Sequence, residues 1–354
     1  MAVRAASGFG IAAGSIHQEL SEDIQMTLVA AKIKLFAQDR SCVQRTGLLC
    51  ATRLLSCLPG AAVMLHHEPI ARRSGMQQVD SLRASVFVTP QALAAQQGVA
   101  VLAIRNPRGD EQATPRIPGA VDVDLPTELA SPGGGTRGSR PLPDVKALQG
   151  HARGWGLRQG QPVVVYDHDR GLVAARAWWV LRWAGIADVR LLDGGLPAWV
   201  AAGLPVVHRP PAPTAGDVVL SAGHLPVLDE DASLAMARDG VLLDSRVRPN
   251  YIGGIVPPGT PPRGHIPGAL SAPAADNFTE PGPFADAATL RHLYAALGAD
   301  GTKPVGVYCG AGISAAVNVA ALASLGIASA MYPGSWSAWS ADPARPVVVG
   351  GRPE

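Results

Sequence analysis

The chain has 354 residues, which is enough for two domains of ordinary size that each bury a hydrophobic core. Its 30 Lys and Arg nearly balance its 28 Asp and Glu, and 47% of its residues are hydrophobic. This composition excludes a disordered polyelectrolyte and the basic surface of a nucleic-acid-binding protein. We therefore expect a globular protein whose partners are small molecules, with no nucleic acid among them.

Residues 1–85 form an N-terminal extension that has no counterpart later in the chain. Apolar residues follow helical spacing over 14–38, and the composition then becomes irregular. We predict either a poorly ordered extension or translated sequence upstream of the true start, with Met76 as the candidate initiator.

The same extension lacks the marks of a membrane or targeting segment. Its most apolar stretch, 47–65, is interrupted by Arg53 and Pro59 and has too few apolar residues for a membrane-spanning helix. The first 20 residues have no compact apolar core after a charged start, and acidic residues such as Glu19 argue against a transit peptide. We expect no membrane partner.

Cysteines are few and unevenly distributed. Cys42, Cys50 and Cys57 lie within the first 60 residues at spacings that match no zinc pattern, and Cys309 stands alone in the rest of the chain. The main body therefore has no disulfide framework, which predicts a reducing, cytoplasmic location.

From about residue 86 onward, four sequence markers occur twice in the same order. The first set is VLAIR at 101–105, IPGA at 117–120, PVVVYD at 162–167 and DGGLPAW at 193–199. The second set is VLLDSR at 241–246, IPGA at 266–269, PVGVYC at 304–309 and PGSWSAW at 333–339. An internal repeat of this kind predicts two homologous domains.

Each domain is predicted to be α/β, with a mainly parallel sheet flanked by helices. Short apolar runs alternate with helical patterns such as 174–184 and 315–325, as in strand–helix units. The Pro-rich segment HRPPAPTAG at 208–216 favours an extended linker. We place the first domain at 86–208, the linker at 209–225 and the second domain at 226–350.

The strongest chemical signal is the segment YCGAGISAA at 308–316, between an apolar strand and an apolar helix. Two glycines allow a tight turn with inward-facing amides, and the following helix contributes the positive end of its dipole. Such a loop favours an anion, either the thiolate of Cys309 or a persulfide sulfur. The alternative is a buried structural cysteine, but a core cysteine normally lies within a strand or helix rather than at the start of a Gly-rich loop.

On these motifs the region 86–350 resembles the tandem-domain rhodanese family of sulfurtransferases. The resemblance implies that Cys309 takes a sulfane sulfur from thiosulfate or 3-mercaptopyruvate and passes it to cyanide or a thiol, with no metal or organic cofactor. It also implies that the first domain is catalytically silent, because Asp167 holds the position of the cysteine and a carboxylate cannot form a persulfide. The silent domain then serves as scaffold and as one wall of an interdomain cleft.

A tyrosine-specific or dual-specificity phosphatase is the chemical rival, since it also uses a cysteine in an amide-lined loop. That mechanism requires an arginine six residues after the cysteine to bind the phosphate with two hydrogen bonds. Position 315 is Ala, so we reject the phosphatase.

The residues that would select the sulfur donor do not all match one subfamily. Gly310 is similar to the mercaptopyruvate-type loop, but Ala311 stands where those enzymes have Ser, and Arg116 where they have His. Their two carboxylate-binding arginines align with Asn250 and Pro258. Arg248 or Arg263 is a candidate replacement for the missing charge, although a surface role is the simpler interpretation of both.

Several repeated residues are expected to be structural. Arg246 is expected to fix a strand end, because Arg105 occupies the same place in the silent domain. We expect Asp244 to accept hydrogen bonds and His265 to fix a turn. Trp339 repeats Trp199 and is predicted to be core, the pair Trp178–Trp179 is assigned to helix packing, and Trp336 is assigned to the pocket wall.

The sequence therefore predicts a cytoplasmic sulfurtransferase with Cys309 as nucleophile and thiosulfate as the default donor. The predicted substrate-binding residues are Gly310, Ala311, Gly312, Ile313, Ser314, Ala315, Arg248, Asn250 and Trp336. The alternative is a persulfide-binding relay protein with little turnover of its own, which delivers sulfur to a thiol protein acceptor.

Overall fold

The computed structural model describes residues 80–106, 115–209, 211–253, 263–280 and 282–353. The predictions about the extension up to residue 79, about its three cysteines and about Pro258 lie outside these ranges. Every helix within them falls short of the length and apolar character that a membrane crossing needs.

The first domain contains a five-stranded sheet in which every neighbouring pair of strands is parallel. Its strands are β1 (Phe87–Val88), β2 (Ala100–Arg105), β3 (Val121–Asp124), β4 (Val163–Tyr166) and β5 (Val189–Leu192). The spatial order is β1-β5-β4-β2-β3, with Leu102 opposite Val165 in the central pair. The apolar run VVVY of β4 is buried throughout, as expected for a central parallel strand covered on both faces.

The second domain repeats this arrangement with four parallel strands. They are β6 (Val241–Asp244), β7 (Leu270–Ser271), β8 (Val305–Tyr308) and β9 (Ser329–Met331). The spatial order is β7-β6-β8-β9, with Leu243 opposite Val307 in the central pair. The prediction of two α/β domains with parallel sheets is confirmed.

Helices cover both faces of the two sheets. In the first domain they are α1 (Pro90–Ala94), α2 (Leu125–Glu128), α3 (Val145–Gly154), α4 (Ala174–Trp183) and α5 (Gly195–Ala201). In the second domain they are α6 (Glu230–Asp239), α7 (Arg248–Ile252), α8 (Ala287–Ala296), α9 (Ala315–Ser324) and α10 (Ser335–Trp339). Short 3₁₀ helices occupy Gly135–Arg137 and Ala274–Asn277. Aspartate side chains cap the first turns of the longer helices α3, α6 and α8, which stabilises those helix starts.

Equivalent contacts in the two domains confirm that the repeat is structural. The hydroxyl oxygen of Tyr166 accepts a hydrogen bond of 3.1 Å from the amide of Ile117, and that of Tyr308 accepts one of 3.1 Å from the amide of Ile266. In both domains the tyrosine thus ties the last residue of the central strand to the IPGA segment.

The two tryptophans that end the repeat markers are also equivalent. The indole of Trp199 donates to the carbonyl of Pro205 at 2.8 Å, and that of Trp339 donates to the carbonyl of Pro346 at 3.0 Å. Trp339 is fully buried, so its predicted place in the core is confirmed. Trp178 and Trp179 are also buried, on α4, as predicted.

The two domains pack through α4 and α9, which lie against each other and join the two cores. The segment predicted as a linker has no helix or strand over 211–226, but it is not detached from the fold. Val218 and Leu220 are buried in the shared core, and the amide of Gly216 donates to the carbonyl of Arg153 at 2.8 Å. The helices α4 and α9 follow β4 and β8, so the carboxyl ends of these two strands face a common region between the domains.

Candidate active site

Cys309 follows the last residue of β8 and begins the loop 309–314 that leads into α9. Loops at the carboxyl ends of parallel strands form the usual ligand crevice of an α/β sheet. The Cys309 thiol is free and the residue is 1% exposed. The predicted nucleophile thus lies at the carboxyl end of a central strand of the second sheet, as the first residue of the loop.

The beginning of α10 supports this loop from behind. Ser335 accepts a hydrogen bond from the Cys309 amide at 3.1 Å, and its hydroxyl oxygen is 3.9 Å from Sγ. The amides of Trp336 and Ser337 donate to the carbonyls of Cys309 and Gly310, both at 2.9 Å. These contacts turn the carbonyls at 309 and 310 toward α10.

The amides of the loop are the candidate anion donors. Within the part of the chain that the structure describes, no backbone amide from Gly310 to Ala315 donates a hydrogen bond to another residue. The amides at the N-terminus of α9 add the positive end of its dipole. The loop therefore has several donors at a helix start that are not used by the protein itself, as an anion site requires.

The equivalent loop of the first domain surrounds a carboxyl group. The Asp167 carboxylate accepts four backbone hydrogen bonds of 2.6–2.8 Å, from the amides of Asp169, Gly171, Val173 and Ala174. Burial raises the pKa of Asp167, and these hydrogen bonds act against that rise. The strand–loop–helix unit of the first domain thus surrounds a side-chain carboxyl with amides, in the place where the second domain has Cys309.

Both loops face one cavity of about 730 Å³ between the domains. Its lining from the first domain includes Arg105, Asn106, Asp167, His168 and Asp169, and from the second domain Ser245, Arg246, Asn250, Ala274 and Cys309. The predicted interdomain cleft is therefore present, with the silent loop as one wall.

The structure brings most of the predicted binding residues to this cavity, but not all of them. Gly310, Ala311, Ile313, Ser314 and Asn250 line it. Gly312 of the loop and Ala315, the first residue of α9, are not among the lining residues.

Arg248 and Trp336 do not line the cavity either. The Arg248 side chain is exposed at the start of α7, as is that of Arg263 further along the chain. Trp336 is 7% exposed, and the guanidinium of Arg246 lies over its ring at 4.3 Å from the centroid. The structure thus gives Trp336 a packing role against Arg246 instead of the predicted place on the pocket wall.

Arg246 and Asp244 form a buried pair, as expected for structural residues. The two side chains are joined by hydrogen bonds of 2.6–3.1 Å, and Arg246 also donates to the carbonyl of Gly264. Burial lowers the pKa of Arg246, but the hydrogen bonds and charge of Asp244 outweigh this effect and raise the pKa above its ordinary value. Arg246 therefore remains charged and is neutralised by Asp244.

His265 also has the expected structural role. Its Nδ1 lies 2.9 Å from the carbonyl oxygen of Tyr251, and its ring stacks on that of Tyr251 with centroids 3.8 Å apart. His265 is fully buried, and its contacts with Tyr251 link α7 to the IPGA turn that begins at the next residue.

The first domain has a corresponding charged group at the cavity. Asp122 forms ion pairs of 2.9 Å with Arg105 and 2.7 Å with Arg116. Both arginines that line the cavity in the described ranges, Arg105 and Arg246, are therefore already paired with carboxylates.

Sequence reasoning did not find several residues of the site, among them Ser245, Ser335 and Arg176. Ser245 lines the cavity with a buried hydroxyl that has no hydrogen-bond partner among the described residues. Ser335 contacts Cys309, and Arg176 reaches the loop from the first domain. Ser245 and Ser335 lie within the repeat markers, which gave no reason to single them out. Arg176 is a charged residue in an otherwise apolar helix, and this is the signal that could have identified it.

Two parallel α/β domains with a cysteine at an amide-lined loop define, for the described part of the chain, a two-domain protein with a single thiol site. A family model described as "Rhodanese-like domain" matches residues 91–202 and 229–342. The chain therefore belongs to the tandem-domain rhodanese family of sulfurtransferases.

Curated relatives carry corresponding names. The chain is 46% identical over 239 residues to the putative thiosulfate sulfurtransferase SseB of Mycobacterium tuberculosis, covering 66% of this chain and 83% of that protein. It is 41% identical over 242 residues to the probable 3-mercaptopyruvate sulfurtransferase of Pseudomonas aeruginosa, covering 66% of this chain and 84% of that protein.

Solved structures agree on the fold. The crystal structure of SseA from Escherichia coli, a 3-mercaptopyruvate sulfotransferase, matches with a TM-score of 0.61 and 27% identity, over 71% of this chain and 98% of that one. The structure of YnjE matches with a TM-score of 0.67 and 27% identity, over 75% of this chain and 68% of that one.

Proposed function

We propose that this protein transfers a sulfane sulfur from thiosulfate to a thiophilic acceptor through a persulfide on Cys309. The observation that carries the proposal is the pair of equivalent loops facing one cavity. One holds the Asp167 carboxyl with four amides, and the other has Cys309 and amides without partners in the described chain. A persulfide sulfur is an anion that such amides stabilise.

The chemistry proceeds in two displacements. The Cys309 thiolate attacks the outer sulfur of thiosulfate, and the sulfur–sulfur bond of the donor breaks with its electron pair leaving on sulfite. Cyanide or a thiolate then attacks the outer sulfur of the persulfide, and the Cys309 thiolate is the leaving group. The atoms and electrons balance without a further reactant, and dividing the transfer into two steps is the usual gain of covalent catalysis.

Thiosulfate is the proposed donor, in line with the name of the Mycobacterium tuberculosis relative. Asn250 lines the cavity where the resemblance places an arginine that binds the carboxylate of mercaptopyruvate. Mercaptopyruvate is the second candidate donor, in line with the name of the Pseudomonas aeruginosa relative.

A persulfide relay is the second candidate function, favoured by Asn250 and Ala311, which line the cavity where the resemblance places a carboxylate-binding arginine and a loop serine. In this case Cys309 accepts a sulfur and delivers it to a thiol on a protein acceptor, with little turnover of small acceptors. Either function needs a reduced Cys309, so we also propose a reducing, cytoplasmic location.

Replacing Cys309 tests both functions at once. The protein is incubated separately with thiosulfate and with 3-mercaptopyruvate, thiocyanate is measured after addition of cyanide, and peptide mass spectrometry is applied to the segment containing Cys309. The native chain is expected to gain one sulfur atom on Cys309 and to form thiocyanate. Cys309→Ser is expected to lose both signals, with turnover reduced by at least about three orders of magnitude.

Cys42→Ser makes the same chemical change at a cysteine of the N-terminal extension and serves as the matched control. Turnover by Cys309→Ser at the native rate would refute the proposal. A sulfur gain on Cys309 without thiocyanate formation would favour the relay, and turnover with only one donor would identify that donor.

A further inference from the structure

Arg176 of the silent domain is a fully buried cation next to the catalytic loop. It occupies the third position of α4, and its Nη1 donates across the domain interface to the carbonyl of Gly312 at 3.1 Å. Its Nη2 donates to the carbonyls of Arg140 and Pro141, both at 3.3 Å. In the described part of the chain, no carboxylate forms an ion pair with this guanidinium. A buried charge without a counter-ion is costly, so a compensating anion is expected nearby.

Cys309 is the group that can carry this negative charge. Burial lowers the pKa of Arg176 to about 10, the charge of ionised Cys309 acts to raise it, and Arg140 acts to lower it further. The guanidinium therefore remains protonated at neutral pH. Its compensating charge is present when Cys309 is a thiolate or a persulfide, and absent when Cys309 is a neutral thiol.

The contact with Gly312 also orients the donors of the loop. In a trans peptide the carbonyl and the amide N–H of one plane point in opposite directions. Arg176 holds the Gly312 carbonyl, so the amide of Ile313 is turned the other way, and Ile313 lines the cavity. The amide of Ser337 holds the Gly310 carbonyl and orients the amide of Ala311 in the same manner.

The equivalent helix of the second domain has no arginine at the position of Arg176, so the fold itself does not require one there. The third residue of the equivalent helix α9 is Val317, which is fully buried. The loop of the silent domain, which already holds the Asp167 carboxyl, thus receives no arginine from α9. The buried cation occurs on the helix whose partner loop contains the cysteine.

We propose that Arg176 is a positioning residue for the sulfur-carrying loop, supplied by the silent domain. It orients the Ile313 amide through the Gly312 carbonyl and stabilises the anionic forms of Cys309. This inference rests on the proposed role of Cys309, and it assigns the silent domain a part in catalysis beyond forming a cavity wall.

The test compares Arg176→Met, which removes the charge at similar volume, with Arg176→Lys, which retains a cation. Arg182→Met on the same helix is the matched control, because Arg182 lies over Trp178 and has no contact with the loop. The rate of alkylation of Cys309 by iodoacetamide is measured from pH 5 to 10 by mass spectrometry of its peptide, together with kcat and KM for thiosulfate. Thermal unfolding of each variant establishes that it is folded.

Removal of the cation is expected to shift the alkylation midpoint of Cys309 upward by about one to two pH units. We expect kcat to fall by about 10-fold to 100-fold with a smaller change in KM, because the Cys309 thiolate and persulfide lose the stabilising positive charge of Arg176. Arg176→Lys is expected to lie between Arg176→Met and the native protein, and Arg182→Met to match the native protein. The other charged or titratable groups facing the cavity, Arg105, Asp167, His168, Asp169 and Arg246, are unchanged in every variant, so differences between profiles report on Arg176.

Identical alkylation profiles for folded Arg176→Met and the native protein would overturn the inference while leaving Cys309 as sulfur carrier. Absence of a persulfide on the native protein would instead refute the proposed function, and the alkylation profiles would still decide whether Arg176 stabilises the thiolate. If Arg176→Met does not fold, Arg176→Lys decides. An upward shift of the alkylation midpoint by less than one pH unit together with a lower kcat supports the inference, and a midpoint and kcat identical to those of the native protein would contradict it. A midpoint in Arg176→Lys that is shifted by a full one to two pH units would contradict it.

Discussion

Gly310 and Gly312 lie two positions apart in the catalytic loop, but only one of them requires a glycine. Gly312 has φ of +71°, and an added Cβ there would lie 2.6 Å from the carbonyl oxygen of Pro333. At Gly310 an added Cβ would meet no atom within 4 Å. Positive φ and close backbone approach are both unfavourable for residues with a side chain, so the loop geometry depends on Gly312.

The two glycines therefore respond differently to the same substitution. Gly312→Ala is expected to lower the free energy of unfolding by about 2–4 kcal/mol, because it adds backbone strain and a steric clash. Gly310→Ala is expected to change it by less than about 0.5 kcal/mol. Urea denaturation of both variants measures the difference, and equal destabilisation by the two substitutions would contradict this account of the loop.

At the scale of secondary structure, Asp122 of β3 joins β2 to the IPGA segment. It pairs with Arg105 at the end of β2 and with Arg116, and both arginines are buried. Burial raises the pKa of Asp122, but hydrogen bonds and charge from the two arginines outweigh it, so the pKa lies below the ordinary value of 3.8. The folded state therefore favours the ionised carboxylate.

This charged group predicts a loss of stability in acid. Because the pKa of Asp122 is lower in the folded chain, its contribution is complete above the unfolded value of about 3.8 and falls as the pH drops through the folded value. Asp122→Asn is expected to be about 1–3 kcal/mol less stable than the native protein at pH 7, with a smaller difference at pH 3.

Urea denaturation at several pH values between 7 and 3 measures this difference. Asp169→Asn is the control, because the Asp169 side chain is 59% exposed. A difference between Asp122→Asn and the native protein that does not change with pH would rule out ionisation of Asp122 as its cause.

At the scale of the whole molecule, the two domains share one hydrophobic core that includes residues of both sheets and of α4 and α9. Polar contacts add to this interface. Asp193 accepts hydrogen bonds from the amide of Phe284 at 2.9 Å and from Arg83 at 3.0 Å, and Arg83 donates to the carbonyl of Ala285 at 2.8 Å. The DGG marker of the first domain is thus tied to the second domain.

A shared core predicts that both domains unfold in one transition. Scanning calorimetry of the native protein is expected to show a single peak for the region 86–350, since neither domain retains a complete core without the other. Asp193→Ala is expected to lower the midpoint of the whole peak by a few degrees, because it removes interdomain hydrogen bonds. Asp188→Ala changes a half-exposed residue of the same domain and is the control. Two resolved peaks would show that the domains unfold independently.

The fold and the catalytic loop were predictable from short-range patterns. Apolar runs, helical spacing and turn residues recur in order, and each reflects a local preference that the tertiary structure keeps. The prediction for Cys309 rests on the same kind of pattern, because the end of a strand, a Gly-rich turn and the start of a helix are adjacent in sequence. The structural roles of Arg246 and His265 were inferred from the repeat and from the turn, and the structure agrees with them.

Contacts between distant segments were not predictable. Arg176 and Gly312 are 136 positions apart, and no local pattern indicates that α4 meets the loop of the other domain. The sequence predicts Trp336 on the pocket wall, and no sequence pattern shows that Arg246 lies over its ring. The pairing of Arg105 with Asp122 likewise depends on strand order.

The sequence by itself determined two α/β repeats and a loop that begins with Cys309 between a strand and a helix, because these depend on residue order and on local backbone preferences. Only the tertiary structure decided which charges at the cavity are neutralised, which side chains line it and which residue of the silent domain supports the loop. Those properties depend on distances between segments far apart in the chain, and packing of the two domains sets these distances.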